Sequence, residues 1–122
     1  MGNRILLVDD AMIIRMILRK ILTEAGFEIA GEASNGAEAI RKYQELRPDL
    51  VTMDITMPEM GGIKALKSIR EIDPNAQVII CSAMGQKSLI IEAMEAGAVN
   101  FLAKPFDEEK VIETVRKTLQ SQ

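Results

Sequence analysis

The feature that most constrains this chain is the unbroken alternation of short apolar runs with stretches of helical periodicity. Ile5-Leu6-Leu7-Val8 is a continuous apolar run, which reads as a strand covered on both faces. Ile14, Ile17, Leu18, Ile21, Leu22 and Ala25 then recur at three-and-four spacing, giving an amphipathic helix that Gly26 is placed to end. Phe27, Ile29, Gly31 and Ala33 alternate with charged or small residues, as in a half-covered edge strand. Asn35 to Glu38 has the spacing of a capping box and opens a helix with Ala39, Ile40 and Tyr43 inward. Leu50 to Met53 reads as a third strand, and a helix follows with Ile63, Leu66, Ile69 and Ile72 inward. Val78 to Cys81 is a fourth strand, followed by a helix over about 86–96 that Gly97 stops. Val99 to Ala103 is the fifth strand, and Asp107 caps a last helix with Glu108 and Glu109 early and Arg116 and Lys117 late. Strands alternating with helices pair in parallel through crossovers, so the expectation is one doubly wound (βα)5 domain over residues 1–122, with helices on both faces of a five-stranded sheet.

The strands end in polar groups. Asp9 and Asp10 follow the first, Asp54 the third, Ser82 the fourth and Lys104 the fifth. Sites in open parallel sheets form outside the carboxyl ends of the strands, so three carboxylates, a hydroxyl and an ammonium should meet in one crevice. Carboxylates about 4–6 Å apart repel by several kcal/mol in total at an effective dielectric near 20, and one lysine offsets only part of that. A hard divalent cation relieves the rest. Oxygen-only ligation suits Mg²⁺, with Mn²⁺ able to substitute. Such an ion beside a lysine and a hydroxyl makes a receptacle for a phosphoryl group. Taken singly, each residue has a plainer reading: Asp9-Asp10 as a capping pair, Asp54 as a polar turn, Ser82 as a cap, Lys104 as a solvated side chain. The five together at strand ends favour the site.

Composition removes other classes. Histidine is absent, which excludes catalytic triads built on it, histidine metal sites and phosphohistidine on this chain. The single cysteine, Cys81, lies in an apolar strand and is read as core. The net charge of −3 argues against nucleic-acid binding. No run approaches the roughly 20 apolar residues of a membrane span, and the start of the chain lacks a signal-peptide layout. A reduced, cytoplasmic protein without membrane or nucleic-acid partners is expected.

Val8-Asp9-Asp10, the stretch Met53 to Gly62, Cys81-Ser82-Ala83 and Lys104-Pro105-Phe106 resemble the receiver domains of two-component response regulators, most closely their single-domain chemotaxis branch. The resemblance covers essentially the whole chain. It implies a flavodoxin-like sheet of order 2-1-3-4-5. It also implies that Asp54 accepts a phosphoryl group from a histidine kinase of the chemotaxis type. Asp10, Asp54 and the backbone carbonyl of Thr56 would hold Mg²⁺, with Asp9 acting through a water. Lys104, after which a cis proline is implied, and Ser82 would bind phosphoryl oxygens. Ser82 and the aromatic residue Phe101 would switch the face formed by the fourth helix, fifth strand and fifth helix, although Phe101 can also be read as plain strand core. Output through a flagellar motor switch protein, control of flagellar rotation, a possible phosphatase and a monomeric state are implied too. The resemblance also implies that Thr56 and Met84 sit at positions that modulate dephosphorylation; neither would orient water well, so self-dephosphorylation should be slow.

Other readings remain. One is a phosphorelay intermediate, and another is a receiver fragment of a larger regulator. An aspartate-nucleophile phosphatase needs an acid two residues beyond its nucleophile, where this chain has Ala11 or Met12. A flavin carrier on this fold needs a phosphate-cradling loop, where Asp9-Asp10 would repel the phosphate. The family's own chemistry promotes only its own phosphorylation and dephosphorylation, so an enzyme acting on a separate substrate is not expected.

Overall fold

A computed structural model describes residues 2–120 of the chain. Ten elements alternate: β1 (Arg4–Val8), α1 (Met12–Glu24), β2 (Glu28–Ala33), α2 (Gly36–Leu46), β3 (Leu50–Asp54), α3 (Gly62–Ile72), β4 (Val78–Ser82), α4 (Lys87–Glu95), β5 (Asn100–Ala103) and α5 (Glu108–Gln120). All strand pairs are parallel, and the order is β2-β1-β3-β4-β5.

The apolar runs form strands because both of their faces are covered. Leu6, Val8, Val51, Met53, Val78 and Ile80 pack under α2, α3 and α4, whereas Ile5, Leu7, Leu50, Ile79 and Cys81 pack under α1 and α5. The central strands β1, β3 and β4 are almost wholly buried, while the edge strands β2 and β5 are only partly so. Burying each large aliphatic side chain contributes about 1.5–3 kcal/mol, so these three strands are the stable frame of the molecule.

The punctuation follows the sequence closely. Asn35 Oδ1 accepts from the Glu38 N–H, and Glu38 reaches back to accept from the Ser34 N–H, one residue earlier than a standard box. The α1 and α4 helices run into Gly26 and Gly97, both at positive φ. The Lys110 N–H donates to Asp107 Oδ1 at the start of α5.

Two expected inner positions of α1, Ile14 and Ile17, lie outside the core. Ile17 is 41% exposed, and Met12, Ile13 and Met16 are more so. Only Leu18, Ile21 and Leu22 of α1 are buried. The helix begins immediately past the carboxyl end of β1, so its first turns rise above the sheet and find no strand beneath them. Phe101, in β5 at the lateral edge of the sheet, is likewise 44% exposed rather than in the core.

Candidate functional site

Strand register assembles the site. Val8 pairs with Met53, Asp54 with Cys81 and Ser82 with Ala103. The next residue along each chain is therefore carried to the same edge of the sheet, which brings Asp9, Asp54, Ser82 and Lys104 together. One carboxylate oxygen from each of Asp9, Asp10 and Asp54 lies within 4.8 Å of the others. Asp9, Asp54 and Ser82 are buried, and Asp10 is exposed at the mouth.

Lys104 Nζ donates to Asp9 Oδ2 at 2.8 Å and to Asp54 Oδ1 at 3.2 Å. The other oxygen of Asp9 accepts from the Ala11 N–H at 2.9 Å. Asp9 is thus held on both oxygens, and Asp54 is held more loosely. The consequence is electrostatic. Burial and the neighbouring Asp9 charge push the Asp54 carboxyl from 3.8 up to about 6, against the opposing pull of Lys104 and of the Thr56 N–H. Burial alone would lower the Lys104 ammonium, but its bonds and charges with Asp9 and Asp54 raise it, so it stays charged. The Lys104–Pro105 peptide bond is cis.

The oxygen-only donor set, with one exposed carboxylate and excess negative charge, suits a hard divalent cation. Soft or nitrogen-loving metals find no thiolate or imidazole there. Cys81 is buried behind the sheet edge, where burial drives its thiol up to about 12 and keeps it inert.

Close packing fixes the loop after Asp54. A Cβ on Gly62 would lie 2.0 Å from the Asp54 carbonyl oxygen, so only glycine lets α3 start there. The Gly62 N–H donates to the Ile55 carbonyl at 2.9 Å, closing the turn.

Two contributors escaped the sequence reading. Arg15 donates to the Asp9 carbonyl at 2.7 Å and to Glu32 Oε1 at 2.7 Å, tying α1 and β2 to the acidic loop. Burial tends to raise Glu32, but hydrogen bonds from Arg15 and Arg19 bring it below its ordinary value. Gln86 bridges the loops after β3 and β4 through Thr56 and Ala83. Neither contact is signalled by spacing; Arg15 reads as one more charge on a solvated helix face, and Gln86 as the first residue of the helix over about 86–96. Of the remaining expected positions, Thr56 stands exposed beside Asp54, and Met84 is 90% exposed.

Comparison with known proteins accords with this geometry. Residues 5–116 match the response regulator receiver domain. The chain is 60% identical to the chemotaxis protein CheY of Thermotoga maritima over 117 residues, spanning 96% of this chain and 98% of that protein. It is 57% identical to the chemotaxis protein CheY of Bacillus subtilis over 119 residues, spanning 98% and 99%. Among solved structures, the response regulator domain of Thermotoga maritima CheB superposes with a TM-score of 0.89 at 34% identity, covering 98% of both chains. A chain of the CheX–CheY–BeF3–Mg complex from Borrelia burgdorferi gives a TM-score of 0.89 at 41% identity, covering 93% of this chain and 87% of that one. With its five-stranded order, its carboxylate cluster and this breadth of sequence identity, the chain belongs to the response regulator receiver domain family.

Proposed function

We propose that residues 1–122 act as one phospho-accepting signalling unit in which Asp54 is the acceptor. The observation that carries this reading is the position of Asp54 between Lys104 and Asp9, buried yet next to an open carboxylate cluster. An Asp54 Oδ attacks the phosphorus of a phosphohistidine on a partner kinase. The O–P bond forms, the P–N bond breaks, and the imidazole leaves with the electron pair and takes up a proton. Asp10, Asp54 and the Thr56 carbonyl would hold Mg²⁺, with Asp9 in support through a water. Mg²⁺ when bound supplies positive charge against the phosphoryl oxygens. Lys104 pairs with one of those oxygens, and Ser82 donates to another.

The new group adds about −1.5 to −2 charges and three acceptors to a site that already strains against its own negative charge. Ser82 moves towards it, and Phe101, outward in this structure, swings into the space vacated. The face of α4, β5 and α5 changes shape, which biases two packings of one fold. A groove of about 410 Å³ runs between β5 and α5, lined by Phe101, Pro105, Lys110 and Lys117, and forms the β5–α5 part of that face. Two relatives at 57–60% identity bear the name chemotaxis protein, so the kinase is of the chemotaxis type. The output is control of flagellar rotation through a motor switch protein. A phosphatase partner is suggested by the neighbour solved together with CheX. The protein acts in the cytoplasm as a monomer.

The test is phosphoryl transfer from a phosphorylated histidine kinase, followed by intact mass. Wild type gains one phosphoryl group in Mg²⁺ and none when chelator is present from the start, and Asp54→Asn gains none. A gain retained by Asp54→Asn moves the acceptor elsewhere.

A further inference from the structure

One side chain joins the two loops that border Asp54. Gln86 occupies the N-cap position of α4, yet its side chain makes no capping bond. Its Oε1 accepts from the Ala83 N–H at 2.8 Å, and its Nε2 donates to Thr56 Oγ1 at 2.8 Å. Each partner adjoins a site residue. Ala83 directly follows the buried Ser82, and Thr56 lies two residues beyond the buried Asp54, in the loop after β3. A glutamine side chain has much rotamer freedom to lose, and here both ends of its amide are committed across the gap between loops.

The Ala83 N–H is a donor at the carboxyl end of β4, on the strand whose Cys81 pairs with Asp54. A phosphoryl group on Asp54 presents three strong acceptors, and charge-assisted bonds to backbone N–H groups outcompete neutral ones. In the resting protein that N–H is occupied by Gln86. We propose that Gln86 is a positioning residue that latches the unphosphorylated arrangement. It pins Thr56, masks the Ala83 N–H, and must let go before the β4–α4 loop closes on a phosphorylated Asp54. The latch rests on the reading of Asp54 as acceptor and adds to it a residue that sets how readily the site is loaded. Asp54 chooses the chemistry; Gln86 sets the cost of reaching it.

Two measurements on the full chain separate the latch from that reading. Amide hydrogen exchange of the resting protein, without phosphodonor, reports on Ala83 directly. Gln86→Ala speeds exchange at Ala83 about tenfold while leaving core amides of β1 and β3 unchanged. The initial rate of phosphorylation by acetyl phosphate in Mg²⁺, followed by intact mass, rises about threefold to tenfold in the same variant. In a Thr56→Val background the further gain from Gln86→Ala is smaller than in wild type, because half of the bridge is already gone. Unchanged exchange at Ala83, or a phosphorylation rate that is unchanged or lower in Gln86→Ala, overturns the latch. A wild type that gains no phosphoryl group overturns the acceptor reading instead, and the exchange result then stands apart from it.

Discussion

Replacing Asp54 by Asn should make this protein more stable, and the gain should depend on pH. Asp54 is buried beside Asp9, and Lys104 is drawn more closely to Asp9 than to Asp54. Its carboxyl titrates in the fold at about 6 rather than 3.8. A carboxyl raised in this way favours the folded state while it is protonated and loses that contribution as pH rises through the folded value. At about 1.36 kcal/mol per pH unit, the displacement from 3.8 to about 6 corresponds to about 3 kcal/mol, lost between about pH 4 and pH 6. Asn keeps the shape and carries no charge, so it does not incur the loss. The two proteins should be equally stable near pH 4, and Asp54→Asn should be ahead by about 2–3 kcal/mol at pH 7, or about 10 °C in Tm for a domain of this size. Glu32 and Asp73, whose carboxyls lie below their ordinary values, pull the other way in acid, but they are common to both proteins and cancel in the difference. Paired urea melts at intervals from pH 4 to pH 7.5 measure that difference. A difference that stays flat across this range, or an Asp54→Asn variant that is the less stable at pH 7, refutes the electrostatic reasoning.

Lys104→Met removes the counter-charge held by both Asp9 and Asp54, and should cost about 3–5 kcal/mol at pH 7. Urea melts should show a smaller loss near pH 4, where Asp54 is protonated. Gly62→Ala forces a methyl group against the Asp54 carbonyl and should destabilise by about 3 kcal/mol, seen as a lowered Tm. It should also slow phosphorylation by displacing the acceptor's own backbone. Met84, apolar and 90% exposed, offers nothing to orient an attacking water. The phosphorylated protein should therefore lose its group with a half-life of minutes or longer in Mg²⁺ buffer, and a half-life of seconds contradicts that assignment.

The fold was legible because each local signal agreed with its neighbours. The central strands are buried on both faces, so their apolar runs carry no ambiguity; Asn35 and Asp107 mark helix starts by side-chain hydrogen bonds, and Gly26 and Gly97 mark helix ends by their freedom to adopt positive φ. The carboxylate cluster was legible for a related reason. In a parallel sheet, residues just past the strand ends converge whatever lies between them, and so Asp9, Asp54 and Lys104 could be placed together from spacing. What escaped depends on side-chain reach. Periodicity places Ile17 on the inner face of α1 but is blind to where the sheet beneath it stops. It likewise says nothing of Arg15 turning back to the Asp9 carbonyl, or of Gln86 spanning to Thr56, 30 residues away. Both are contacts between polar side chains and loops, for which no period or motif exists.

The claim on which the rest depends is that the Asp54 carboxylate itself takes the phosphoryl group. An acyl phosphate is reduced by borohydride to an alcohol, which converts the modified aspartate into homoserine. Protein treated with acetyl phosphate and Mg²⁺, then reduced, digested and sequenced by mass spectrometry, should carry homoserine at position 54 and aspartate at positions 9 and 10. Homoserine at 9 or 10 with an intact Asp54, or a phosphoryl group found on a hydroxyl such as Ser82, contradicts it.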